Sequence, residues 1–265
     1  MYSFEYARPR TLADALQAAG DDTRFLAGGQ SLIQSMKLRL ASASTLIDLS
    51  AIPELRGIAV GADAVTIGAM TPHADVAGSA DVRAAIPALS ELARMIGDPM
   101  VRTMGTIGGS LANSDPAADY PAAVLALDAT IRTDRRTIAA DDFFLGLYET
   151  ALEPGEIIVS VTFPVPRAAG YEKLRQPASR FALVGVFVAR TAAGGVRVGV
   201  TGARSCAFRS PELEAALDAD FTPEAAAAVR IGEQDINGDL HGSPRYRAAM
   251  ISVMAGRAVA SALGR

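Results

Sequence analysis

The residues best placed to do chemistry lie in two short glycine corners. They are Ala27-Gly28-Gly29-Gln30-Ser31 and, eighty positions later, Thr106-Ile107-Gly108-Gly109-Ser110. Each sets paired glycines and a serine just after a short apolar run. Glycine has no Cβ and takes positive φ readily, so backbone N–H groups can approach a ligand closely. Successive N–H groups in such a corner form a concave anion site suited to a pyrophosphate. Either corner alone reads most simply as a strand–helix turn; the pair suggests a long, phosphate-bearing ligand held between two lobes.

The rest of the chain narrows the chemistry. Cys206 is the single cysteine, and the two histidines, His73 and His241, lie far apart. That inventory cannot supply a four-cysteine iron–sulfur cluster or an ordinary structural zinc site. No metal site is expected, no residue is assigned a catalytic role, and any electron carrier held here must be organic. No internal disulfide can form, which fits a reducing compartment. Net charge is -4 with no long Lys/Arg cluster, and tryptophan is absent, so nucleic acid is not an expected partner. No run approaches the roughly 20 apolar residues of a membrane span, and the first nine residues lack a signal-peptide core. The expected location is the cytoplasm. There is no Gly-x-Gly-x-x-Gly, no Gly-x-x-x-x-Gly-Lys-Ser/Thr and no Gly-x-Ser-x-Gly, which disfavours Rossmann, phosphate-loop and serine-hydrolase sites.

The elements that must position the corners follow from periodicity. Thr11 and Asp14 open a helix that ends at Gly20. Arg24 to Ala27 is a strand into the first corner, Ser31 starts a second helix through Leu40, and Thr45 to Leu49 is a strand. Ile58 to Ala69 is a hairpin around Gly61-Ala62-Asp63. Asp81 to Ile96 reads as one helix, Val101 to Asp119 as a loop, and Tyr120 to Leu127 as a helix with Pro121 in its first turn. Strands follow at Ala129 to Thr133 and Ile157 to Phe163. Pro164 to Gly170 is the best linker. Beyond it lie strands Phe181 to Arg190 and Val196 to Thr201, then helices Glu212 to Ala219, Pro223 to Ile231 and Pro244 to about Leu263. His73 reads as a local cap or packing residue, His241 as solvated, Cys206 as a small buried residue, and Met250 and Met254 as core or a subunit contact.

Ala27 to Arg39 resembles the first FAD motif of the medium, flavin-carrying subunit of molybdenum hydroxylases, the family of carbon monoxide dehydrogenase medium subunits and the xanthine dehydrogenase FAD domain. Thr106 to Asp119 resembles the second. Gly155-Glu156-Ile157-Ile158 resembles the strand that closes the flavin domain. Tyr171-Glu172-Lys173 with Pro177 to Ala182 is similar to the start of the family's C-terminal domain. The resemblance covers nearly the whole chain in order. It implies an α+β fold: a PCMH-type FAD-binding domain over residues 1–165, in two α+β lobes of about 1–56 and 57–165, then a smaller C-terminal α/β domain over 170–265.

The resemblance also implies the chemistry. FAD bound here would take electrons from 2Fe-2S clusters on a small partner subunit. Those clusters are fed by a molybdenum cofactor on a large subunit, and the flavin would pass the electrons to an external acceptor. The assembly would be a heterotrimer, open to dimerisation. By position, Ala27, Gly28, Gly29, Gln30, Ser31 and Leu32 would hold the pyrophosphate, with Thr106, Ile107, Gly108, Gly109, Ser110 and Asn113 approaching from the other lobe. Asp115 and Asp119 would bond ribityl or ribose hydroxyls, Ile157 or Ile158 would pack on the ring system, and Lys173 would sit near its pyrimidine end. Gln30 stands where His is common in the carbon monoxide enzymes, and Ser110 where Asp is, so carbon monoxide is not singled out as substrate. Two competing readings are a stand-alone flavin reductase of the same fold, which needs a proton donor beside the flavin, and a nonredox scaffold that has lost its cofactor.

Overall fold

The structure is a computed structural model in which residues 1–264 are described. A small parallel sheet opens the chain. It comprises β1 (Glu5–Ala7), β2 (Thr23–Leu26) and β3 (Thr45–Asp48), with β3 in the middle; α1 (Leu12–Gln17) and α2 (Leu32–Lys37) connect them. Thr11 caps α1, its hydroxyl accepting from the Asp14 N–H at 3.1 Å. The β2–corner–α2–β3 order follows the sequence pattern. β1 does not, because Glu5-Tyr6-Ala7 has no apolar alternation to announce it.

The second sheet is antiparallel, in the order β4 (Ile58–Val60), β5 (Ala64–Gly68), β10 (Ile158–Pro164), β6 (Thr130–Thr133), β7 (Thr137–Ala139), with β8 (Phe144–Gly146) and β9 (Glu149–Thr150) as a separate ribbon. A register shift between Ile158 and Ser160 in central β10 changes which side its residues face. Val159 joins Ile47, Leu49 and Ile52 on one side, while Val161 and Phe163 join the main helical core on the other. Six helices separate β5 from β6: α3 (His73–Gly78), α4 (Ala80–Ala85), α5 (Pro87–Met95), α6 (Pro99–Met104), α7 (Ile107–Asn113) and α8 (Tyr120–Ala126).

Two sequence expectations change here. The single helix over Asp81 to Ile96 is broken, because Pro87 excludes Ile86 from helical geometry and Ile86 sits at φ -137°, ψ 77°. The expected loop from Val101 to Asp119 instead contains the end of α6 and all of α7. Asp98 and Thr106 cap these helices through the N–H groups of Val101 and Gly109.

The chain ends in an antiparallel sheet, β11 (Ala168–Arg175), β12 (Ala182–Arg190), β13 (Val196–Thr201) and β14 (Phe208–Arg209). With it pack α9 (Pro211–Ala219), α10 (Pro223–Ala228) and α11 (Pro244–Ala262). Met254 is buried in that core and Met250 packs against it. The expected linker is short and tied down. Only residues 165–167 separate β10 from β11; the Val165 N–H donates to Asp63 O and the Arg167 N–H to Arg190 O, each at 2.8 Å. No helix among the described residues is long and apolar enough to cross a membrane.

This last sheet also holds the segment leading to α8. The Arg197 Nε–H donates to Leu125 O (2.9 Å), the Gly202 N–H to Pro116 O (2.7 Å), and the buried Thr201 hydroxyl lies 2.8 and 2.7 Å from the carbonyls of Pro116 and Ala118. Replacing Thr201 by Val keeps the shape and removes the donor. It should lower the stability measured by urea unfolding by about 1–2 kcal/mol; an unchanged midpoint would show that the hydroxyl does not hold this segment.

Candidate functional site

The two glycine corners touch. A Cβ on Gly28 would overlap Met104 O and lie 2.7 Å from Gly105 Cα, so only glycine allows the main chains to close up here. Ala27 and Gly109 face one another across the same junction. A cavity of about 700 Å³ opens along it, within the range of cofactor sites.

The corners then differ. In the first, Gly29 takes φ +70°, which reverses the chain into α2. The N–H groups of Gly28, Gly29, Gln30 and Ser31, and the Ser31 hydroxyl, have no hydrogen-bond partner among the described residues apart from what the cavity could bring. In the second, the N–H groups are already used. Ile107 donates to Thr71 O (3.2 Å), Gly108 to Ala69 O (2.8 Å), Gly109 to the Thr106 hydroxyl (3.1 Å) and Ser110 to Thr106 O (3.0 Å). This corner is the capped first turn of α7, and Gly108 serves close packing on Ala69, whose Cβ would lie 2.5 Å from an added one. What α7 offers the cavity is side chains: the Ser110 hydroxyl and Asn113 carboxamide, both without partners among the described residues.

Ala27, Gly28, Gly29, Gln30, Ser31, Leu32, Thr106, Gly108, Gly109, Ser110, Asn113, Asp115, Asp119 and Ile157 all line this one cavity. Ile107 and Lys173 do not. Ile107 is fully buried in the helical core. The Lys173 side chain is wholly buried, its Nζ 2.8 Å from Asp119 Oδ1, so it stands behind Asp119 rather than at the cavity wall. Asp115 accepts from the Ala117 N–H at 2.8 Å and so shapes its own turn while bordering the cavity. The Ile157 N–H is fixed by Asp134 at 2.7 Å.

Beside Ile157, Glu156 anchors the cavity wall. Its carboxylate takes paired bonds from Arg136 (3.0 Å each), the Thr133 hydroxyl (2.7 Å) and the Glu153 N–H (2.8 Å). The Arg136 hydrogen bonds, with the others assisting against burial, hold its pKa down at about 2. The sequence reading missed the cavity residues His73, Tyr148 and Phe181 as a group. Phe181 lay inside a quoted motif and Tyr148 in a hairpin with no signal of its own. Phe181 carries His241 against it, ring centroids 5.8 Å apart. Tyr120 begins α8, as its sequence pattern predicts, and is fully buried.

His73 could have been found only from Thr71-Pro72-His73 as a helix start. Its ring lies 5.4 Å from Tyr120, against Gly105, and its Nδ1 is buried without a partner. Burial, assisted by Arg102, lowers its pKa to about 4. Cys206 is half-buried, and burial pushes its thiol pKa up; it is not a reactive thiolate.

Residues 2–166 match the family described as the FAD binding domain in molybdopterin dehydrogenase. The chain is 39% identical over 280 residues to the carbon monoxide dehydrogenase medium chain of Hydrogenophaga pseudoflava, covering 99% of this chain and 98% of that one. It is 35% identical to the nicotine 6-hydroxylase medium subunit of Paenarthrobacter nicotinovorans, covering 99% and 98%. A chain in the structure of reconstituted CO dehydrogenase from Oligotropha carboxidovorans superposes with a TM-score of 0.90 at 36% identity, covering 100% of this chain and 99% of that one.

Because its pKa is lowered in the folded state, His73 contributes stability by staying neutral. That contribution is complete above pH 6.5 and is lost as the pH falls toward about 4, amounting to at most about 3 kcal/mol. Urea unfolding across this range should therefore show a shallower loss of stability for His73→Gln than for the parent chain; parallel curves would contradict the assignment.

Proposed function

This chain belongs to the family of FAD-binding domains of molybdopterin dehydrogenases, and on that premise we propose that it is the flavin-carrying medium subunit of a molybdenum hydroxylase, holding one FAD in the cleft between its glycine corners. The observation that carries the reading is the row of four unpartnered N–H groups from Gly28 to Ser31 beside the cavity. Gly28, Gly29 and Gln30 are half-buried and Ser31 is exposed, so the row stays open to an incoming anion, and a diphosphate is the anion whose shape suits such a row. Ser31 adds a hydroxyl. Thr106, Ser110 and Asn113 close on the same group from α7, while Gly108 and Gly109 let α7 approach.

Asp115 and Asp119 accept from ribityl or ribose hydroxyls, and Ile157 packs on the ring system. Bound FAD would supply reversible electron storage. The protein's part is to orient it, to exclude water with Ile157 and Phe181, and to set the charge around it. Electrons would come from 2Fe-2S clusters on a small partner subunit, fed by a molybdenum cofactor on a large one, and leave to an external acceptor. With a single cysteine, those clusters cannot reside here. In this reading the FAD-binding domain is 1–165, in lobes of about 1–56 and 57–165, the carboxy-terminal domain is 170–265, and the complex works in the cytoplasm.

The purified chain should show bound oxidised flavin. Calorimetric titration of the stripped chain should find one FAD site, lost in Gly28→Ala and weakened about fivefold in Ser31→Ala, the worth of one hydrogen bond. No FAD binding by a folded chain would sink the proposal. Rapid reduction of the isolated flavoprotein by NADPH, with turnover of a specific acceptor, would favour the stand-alone reductase instead.

A further inference from the structure

Asp119 sits in an unusual polar cluster that joins the cavity to the carboxy-terminal sheet. It lines the cavity and is only 6% exposed. Two buried donors from β11 converge on one of its oxygens: the Tyr171 hydroxyl at 2.5 Å and Lys173 Nζ at 2.8 Å, both on Oδ1. Tyr171 and Lys173 are two apart on one strand, so their side chains leave the same face. Gly185 of β12, paired with Lys173, makes room for them: a Cβ there would lie 2.6 Å from the Tyr171 hydroxyl. Asp119 Oδ2 has no partner among the described residues.

Stability alone is a poor reason for this arrangement. Replacing a buried ion pair by apolar groups of like volume is often neutral or stabilising. Burial, reinforced by the nearby Asp119 charge, raises the Tyr171 pKa far above its ordinary value, so its hydroxyl remains a donor. Both donors therefore spend themselves on Oδ1 and leave Oδ2 as a pure acceptor.

Resting on the FAD reading above, we infer that Tyr171 and Lys173 are positioning residues that act through Asp119: they lock its carboxylate in one rotamer, so that Oδ2 is presented to a sugar-alcohol hydroxyl of the bound cofactor. Lys173 then works from behind Asp119, not on the flavin ring. The carboxy-terminal sheet thereby completes a site most of whose other residues come from the first 165 positions, Phe181 being an exception.

The test pairs FAD titration with thermal unfolding of the full-length apoprotein. Tyr171→Phe removes one donor and keeps the ion pair; it should stay folded and bind FAD several-fold more weakly. Lys173→Met leaves an unpaired buried carboxylate and should lower both Tm and FAD affinity, the latter about tenfold. The decisive variant is the charge-balanced double substitution Asp119→Asn with Lys173→Met. It should regain Tm while FAD affinity stays low, a split that a merely structural role would not produce. Recovery of affinity together with Tm, or unchanged affinity in Tyr171→Phe and Lys173→Met, would overturn the inference. A parent chain that binds no FAD would fail the underlying reading instead.

Discussion

Contact between two stretches of bare main chain governs this molecule. Gly28 lies against Met104 and Gly105 so closely that no side chain fits between them. That approach brings the loop after β2 and the start of α7 to one junction, with the cavity opening along it. Close packing of this kind is unforgiving, because interiors are as dense as organic crystals and cannot absorb an extra methyl without strain. The steric demand and the binding chemistry thus share one residue: glycine is needed for the lobes to meet, and their meeting faces a row of unused N–H groups toward the cavity.

The electrostatics follow from that geometry. His73, beside the junction, is kept neutral by burial. Lys173 is fully engaged with Asp119, and Arg136 with Glu156. Among the described residues that line the cavity, Arg24 is the one arginine or lysine, so phosphate charge would meet oriented backbone dipoles together with that side chain. Such dipoles are fixed by the fold and need no reorganisation when an anion arrives. The helix that follows the first corner is only six residues long, so its macrodipole adds less than the local N–H groups do.

Much of this was legible in the sequence, and the reasons are specific. The two glycine corners, Asp115, Asp119 and Ile157 are brought to one cavity because they belong to long motifs whose order along the chain matches the fold. Elements with strong periodicity, such as α8, β12 and α11, lie within a residue or two of where their patterns put them. What escaped was decided by tertiary context. Gly108 and Gly109 looked like a turn, yet Thr106 caps a helix through them. The wall residue Tyr148 comes from a hairpin with no periodic signature. Lys173 carried a cofactor-facing reading because nothing in its neighbours reveals that Asp119, more than fifty positions earlier, would bury it. Pro87 broke a helix that hydrophobic spacing ran straight through, although its own restriction on Ile86 was readable.

Residue-resolved amide hydrogen exchange with and without FAD tests the central claim most directly, because the claim concerns individual N–H groups. In the apoprotein, the amides of Gly28 to Ser31 should exchange fast and those of Ile107 to Ser110 slowly; adding FAD should protect the first set strongly and change the second little. Unchanged exchange at Gly28 to Ser31 in a chain that has taken up FAD would contradict the account.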